Sequence, residues 1–239
     1  MTDLVALCAR ADAAWHASWL TALGCRSTDE GGVWRALDPP PYIYFAAITL
    51  APDVPVEAVA SVQGSICDSW QSLELEPHGF RVWRRDPWYY REAGRFSVPA
   101  PPELEVVRVS TDSEVLELED VSVRGFGGED ARVDPGSIHP PAILDDPRMT
   151  LFLGRVDGVA VGASMGYRTD DVVGVFGVTT LASARRRGYG KALTGAAMLT
   201  DTGLPAILAS SAEGEPLYRR LGFGRVGELS IWVKADPDR

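Results

Sequence analysis

Cysteine is scarce in this chain. The three present, Cys8, Cys25 and Cys67, form no C-x-x-C pair. An odd, scattered set suggests neither a disulfide framework nor a thiolate zinc site, so a cytoplasmic setting and no metal are expected. Long apolar runs are lacking too. The longest, residues 42–50, covers nine positions and is broken by Thr49, whereas a membrane helix needs about 20. The start has no basic region followed by an apolar stretch, so neither export nor a membrane partner is expected. Positive charge is also in short supply, with 23 Lys and Arg against 33 Asp and Glu and a formal net charge of −10. A field of that sign repels phosphate backbones, which argues against a general nucleic-acid partner.

What remains is the composition of a packed globular protein. Of 239 residues, 46% are hydrophobic and 23% charged, and the length suits one or two domains. Apolar residues at Leu4, Leu7, Ala11, Ala14 and Trp15 recur at a helical period, with Thr2 or Asp3 as N-cap and Gly24 as a stop. Residues 33–37 and 42–50 read as strands around a Pro-rich turn. Pro55 followed by Val59, Gln63, Ile66 and Trp70 reads as a second helix, and 80–83 as a short strand. Pro99, Pro101 and Pro102 mark residues 97–102 as an extended boundary. Two domains are therefore expected: a non-catalytic α/β lobe at 1–98 and a second domain at 103–239.

In the second domain a strand is expected at 104–109 and then a helix opening with the capping box Thr111-x-x-Glu114. A Gly-, Asp- and Pro-rich loop at 125–147 and strands near 150–156, 159–167 and 171–180 follow. A helix at 188–201, a strand at 206–210, a helix at 215–221 and two closing strands split near Gly227 complete it. Between the third of those strands and the next helix stands Arg185-Arg186-Arg187-Gly188-Tyr189-Gly190-Lys191-Ala192. A glycine-rich turn there aims free backbone N–H groups outward at the positive end of a helix dipole, which suits a phosphate. Arginine runs at helix starts also occur simply as solvated faces. A Walker A loop would need Gly at Arg185 and Ser or Thr at Ala192, and a dinucleotide fingerprint would need Gly or Ala at Leu193. Both are excluded.

The segment resembles the acetyl-CoA loop of the GNAT N-acetyltransferase superfamily. That loop has Gln or Arg, then Gly three residues on, then Gly or Ala two further, directly after the fourth core strand; Arg185, Gly188 and Gly190 match. About thirty residues later, Leu217-Tyr218-Arg219-Arg220-Leu221-Gly222-Phe223 is similar to the family's L-Y-x-(R/K)-L-G-F signature. The resemblance covers about residues 103–235. It implies an α/β (α+β) fold with a mixed, mostly antiparallel GNAT sheet flanked by helices. The N-terminal lobe is similar to a truncated, degenerate GNAT-like repeat by analogy only. The implied activity is transfer of an acetyl group from acetyl-CoA, as co-substrate, to a primary amine of a small-molecule or peptide acceptor. A homodimer is compatible with it.

The resemblance also implies roles for residues. The backbone of Arg186, Arg187, Gly188, Tyr189, Gly190 and Lys191, with Arg185 beside them, would grip the CoA pyrophosphate. Val178, Thr179 and Thr180 would pair with the pantetheine amides as if adding a strand. Ser210 or Ser211 would hydrogen-bond the pantetheine arm, although a serine pair reads equally well as a cap of the next helix. The Tyr218 hydroxyl would protonate the departing thiolate, the alternative being a core tyrosine beside Leu217 and Leu221. Several family members carry a glutamate on the fourth core strand as base, but residues 172–178 hold no carboxylate. Glu129, Asp130, Glu213 and His139 are the remaining candidates. With no cysteine or paired Ser/His near the motifs, the expected chemistry is direct attack. The rival reading is an acyl-CoA-binding sensor or scaffold. The arginine-rich aromatic stretch from Trp83 to Arg91 suits a pocket lining, an oligonucleotide surface or a packed lobe face.

Overall fold

The computed structural model describes residues 3–94, 96–211 and 213–235. In chain order the regular elements are α1 (Leu4–Ala22), β1 (Ser27–Glu30), β2 (Val33–Ala36), β3 (Ala47–Thr49), β4 (Ile66–Asp68), β5 (Phe80–Arg91), β6 (Glu105–Arg108) and α2 (Asp112–Gly127). They continue with β7 (Met149–Val156), β8 (Val159–Arg168), β9 (Val173–Thr180), α3 (Tyr189–Met198), β10 (Ala206–Ala209), α4 (Glu215–Arg220) and β11 (Gly224–Lys234). The fold is the expected mixed, mostly antiparallel α/β class. Among the described residues no helix is long and apolar enough to cross a membrane.

The chain forms two compact units, one of residues 1–90 with 208–239 and the other of Arg91–Ile207. This division differs from the expected lobes at 1–98 and 103–239, because the C-terminal segment returns to the first unit. There β11 pairs antiparallel with both β4 and β5. The ladder with β5 runs from Gly224↔Tyr90 to Lys234↔Phe80, with a register shift between Arg225 and Gly227. The two closing strands expected around Gly227 are thus one strand carrying a bulge.

In the first unit Asp3 caps α1, its Oδ1 accepting from the N–H groups of Val5 and Ala6 at 3.0 and 3.1 Å. The helix expected after Pro55 does not form. A 3-10 turn at Val56–Ala58 is followed by an irregular stretch and β4, which runs beside β3 and β11. Val59 and Ile66 are buried, but within one apolar cluster with Val33, Leu75, Phe80 and Trp232. Gly64, at φ +133°, breaks the helical register between them. The 42–50 strand is shorter than expected: β3 begins only at Ala47, after a turn closed by the Tyr44 N–H on the Pro41 carbonyl. The strand at 80–83 extends to Arg91, because β11 supplies a partner along its length despite Pro87.

In the second unit β6, β7, β8 and β9 form an antiparallel meander, and β10 joins β9 in parallel through Ala206↔Val173 and Ile207↔Gly174. Alternation along β9 sends Thr179 toward α2 and Thr180, opposite Gly162, toward Leu193 of α3, so the two helices cover opposite faces. The capping box of α2 is complete: Thr111 Oγ1 accepts from the Glu114 N–H, and Glu114 Oε2 accepts from the Thr111 N–H at 3.1 Å. The extended boundary segment at 97–102 lies on α3, where Val98 occupies the space beside Gly195 and Pro101 sits against Gly188.

Candidate functional site

The glycine-rich turn grows from β9. Between Met165↔Phe176 and Ala163↔Thr179 the register slips by one residue, and Gly177 adopts φ +58° at the slip. This bulge turns the strand end, placing Val178, Thr179 and Thr180 past the point where the described β10 ladder stops at Gly174. Within this unit the Val175–Thr180 edge has no ladder on that side among the described residues. Its backbone donors and acceptors are therefore of the kind that accept an added strand.

After Thr180 the chain makes a 3-10 turn at Ala182–Ala184 and passes through Arg185 in an extended conformation. Arg186 then takes φ +64° and Gly188 φ +85°. Gly188 is the N-cap of α3, and the first helical bond runs from the Ala192 N–H to its carbonyl at 3.2 Å. The N–H groups of Tyr189, Gly190 and Lys191 thus precede the helical ladder and share the positive end of the dipole. Side chains of Arg186, Arg187 and Lys191 are exposed around them. This geometry fits a diphosphate: a backbone nest, a helix start and exposed cations on its rim.

Two side chains of the motif do other work. The Arg185 guanidinium donates to the carbonyl of Thr180 at 3.3 Å and to that of Gly125, in the last turn of α2, at 3.0 Å. It braces the turn. Tyr189 is 1% exposed, packs with Leu104, Leu181, Ala184 and Ala192, and donates its hydroxyl to Glu103 Oε1 at 3.0 Å. Only its backbone is placed for a ligand. Glu129, a candidate base, is exposed and accepts the Ser183 N–H at 3.0 Å, an interaction that lowers its pKa and weakens it as a base.

His139 is 3% exposed, and burial pushes its imidazole down to about 3, so it is neutral across the physiological range. It does not serve as a proton carrier at the surface. Its N–H instead joins those of Gly136 and Ile138 in donating to the buried Glu119 carboxylate, at 2.8, 2.5 and 2.7 Å respectively. Nothing in the sequence marks Glu119. A lone glutamate on an amphipathic helix gives no signal that its carboxylate turns inward to hold a loop seventeen to twenty residues away.

In the first unit Tyr218 lies in the short helix α4 and is 9% exposed. Its ring is flanked by Tyr89 at 6.3 Å and, edge-on, by Phe223 at 6.1 Å. Gly214 admits the ring, since a Cβ there would lie 2.6 Å from Tyr218 Cε2. Burial pushes the Tyr218 hydroxyl up to about 12, so it stays protonated throughout the working range. No hydrogen bond among the described residues engages it. Ser210 is buried and donates its hydroxyl to the Ser211 carbonyl at 2.7 Å, while Ser211 is exposed. Asp130 and Glu213 are both exposed. In the Trp83–Arg91 stretch, Trp88 is buried and bonds the Ser69 carbonyl, whereas Trp83 is exposed beneath Arg84. The stretch forms a strand with one packed end.

The Acetyltransferase (GNAT) family model matches residues 114–223. Among solved structures, a GCN5-related N-acetyltransferase from Kribbella flavida is similar at a TM-score of 0.64 and 23% identity, over 94% of this chain and 96% of that one. A putative GNAT-family acetyltransferase from Novosphingobium aromaticivorans is similar at 0.59 and 20%, over 93% and 99%. A conserved protein of unknown function from Staphylococcus epidermidis is similar at 0.58 and 15%, over 87% and 93%. These likenesses establish the fold across nearly the whole chain. No curated protein matches in sequence. The bulged strand, the glycine turn at the head of α3 and the Leu217–Phe223 motif all lie within the matched segment, so residues 114–223 are similar to the GNAT family in sequence and the chain shares the fold of its solved members.

Proposed function

We propose that this protein is an N-acetyltransferase that moves an acetyl group from acetyl-CoA to a primary amine by direct attack. The observation that carries this reading is the turn at 185–191, where two positive-φ residues and an uncapped helix start present consecutive backbone N–H groups after a bulged strand. Such a nest suits the pyrophosphate of a CoA thioester. The β9 edge from Val178 to Thr180 suits the pantetheine amides.

Acetyl-CoA supplies the activated acyl group and a thiolate leaving group. The chain supplies position and a proton. A Tyr218 hydroxyl held near pKa 12 is a weak acid, so it cannot protonate sulfur far ahead of bond cleavage. It donates as the carbon–sulfur bond breaks, and the proton released from the newly acylated nitrogen replaces it. Backbone donors polarising the thioester carbonyl supply the remaining stabilisation. The acceptor is an amine of a small molecule or peptide, and the net charge of −10 favours a cationic one. A cytoplasmic location fits acetyl-CoA as donor.

The test is release of the CoA thiol from acetyl-CoA against a panel of primary amines. Amine-dependent release supports the reading. Saturable acetyl-CoA binding without release from any amine would favour the sensor reading instead, toward which the engagement of Glu129 by Ser183 points.

A further inference from the structure

The second unit carries a groove that the acetyl-transfer reading does not use. It encloses about 460 Å³ between β6, β7 and α3, with Val98 of the preceding segment as one wall. Its floor and sides are apolar, chiefly Val106, Phe152, Ala196 and Leu199. A volume of that order is typical of small-molecule sites, about 300–1,000 Å³. None of residues 185–191 lines it.

Three polar side chains, Arg108, Thr150 and Thr200, interrupt this apolar lining. Arg108 and Thr150 line the groove and also a neighbouring cavity of about 340 Å³. Thr150 is only 9% exposed, and its hydroxyl makes no hydrogen bond among the described residues. Arg108 lies on β6 opposite Phe152, at the sheet edge, and has no ion pair among the described residues. Three other sheet arginines or their neighbours are committed: Arg155 to Glu117, Arg168 to Asp201 and Arg148 to Asp146.

We propose that this groove binds a small apolar carboxylate. The guanidinium fork matches a carboxylate in plane, and the Thr150 hydroxyl adds a second donor. The hydrocarbon body would lie on Val106, Phe152, Ala196 and Leu199. A cationic ligand is repelled by Arg108, and a heavily hydrated phosphate is poorly served by apolar walls. A neutral apolar ligand would bury the Thr150 hydroxyl without a partner.

The experiment is calorimetric titration of the full chain with hexanoate, and with hexanamide as its uncharged counterpart. Hexanoate is expected to bind saturably, with hexanamide and the Arg108→Gln variant each weaker by about tenfold or more. Thr150→Val should lose about three- to tenfold. Ala196→Phe, which fills the groove and leaves Arg108 in place, should abolish binding, with melting temperatures showing each variant folded. Absence of hexanoate binding up to about 10 mM overturns the proposal. So does binding that Arg108→Gln leaves unchanged. A dimer that Ala196→Phe dissociates, with no hexanoate binding, would assign the groove to a second copy of the chain and likewise overturn it.

Discussion

The Arg185 guanidinium donates to the Gly125 carbonyl at 3.0 Å, tying the glycine-rich turn to the last turn of α2. Arg185 also reaches the Thr180 carbonyl, so one side chain spans the end of β9 and the end of a helix. A lysine at that position cannot serve both carbonyls with a planar fork. Arg185→Lys should therefore weaken acetyl-CoA binding by about three- to tenfold, comparable to one charge-assisted hydrogen bond, with only a small loss of stability. Calorimetry beside thermal unfolding separates the two. Unchanged affinity would mean that the brace does not shape the nest.

Gly188 stands at φ +85° with Pro101 against it. A β-branched side chain there meets left-handed strain of about 1–2 kcal/mol and obstructs approach of a phosphate to the backbone. Gly188→Val should lose acetyl-CoA affinity by about tenfold or more while remaining folded. A folded variant with wild-type affinity would put the phosphates elsewhere.

Glu119 holds the loop at 136–139 through three backbone N–H groups. Glu119→Ala leaves the buried Ile138 and His139 donors and the half-buried Gly136 donor without their acceptor, and unfolding in denaturant should show a loss of about 3 kcal/mol or more. A loss below about 0.5 kcal/mol would show that water replaces the carboxylate without cost.

His139 is buried neutral, with its imidazole pushed down to about 3. In the unfolded chain it protonates near 6.5, so between these values the unfolded state binds the extra proton. Its contribution is complete above pH 6.5 and is lost as pH falls toward 3. Stability of the wild type should decline across that window more steeply than that of His139→Gln, by about one proton in the slope. Equal slopes would contradict the burial of a neutral ring.

Tyr218 titrates in the opposite sense. With its hydroxyl pushed up to about 12 by burial, the unfolded state releases its proton first, near 10. Stability is then unaffected below pH 10 and falls as pH rises from there toward 12. Denaturant midpoints of wild type and Tyr218→Phe across that range should diverge, with the variant flatter. Parallel curves would place the hydroxyl in water.

Much of the second unit was legible because its signals are local. The capping box at Thr111 and the glycine pair at 188 and 190 each act within one turn of chain. The first unit was harder. Val59 and Ile66 have helical spacing, but they are buried by partners distant in sequence, and Ile66 forms a strand because β3 and β11 flank it. The full length of β5 depended on β11, whose Gly224 and Lys234 pair with Tyr90 and Phe80 far back in the chain. Of the candidate site, the backbone turn and Tyr218 were readable from motifs. The commitments of Arg185, Glu129 and Glu119 were not, since each depends on where a carbonyl or N–H of another element lies.

The most direct test of the central claim is the steady-state rate of amine-dependent thiol release by Tyr218→Phe, measured with its acetyl-CoA affinity on the same protein. The substitution removes one hydroxyl and keeps the ring between Tyr89 and Phe223. The account predicts turnover lower by about 100- to 10,000-fold with affinity nearly unchanged. Turnover within about twofold of wild type in a folded variant would contradict it and leave Tyr218 a packing residue.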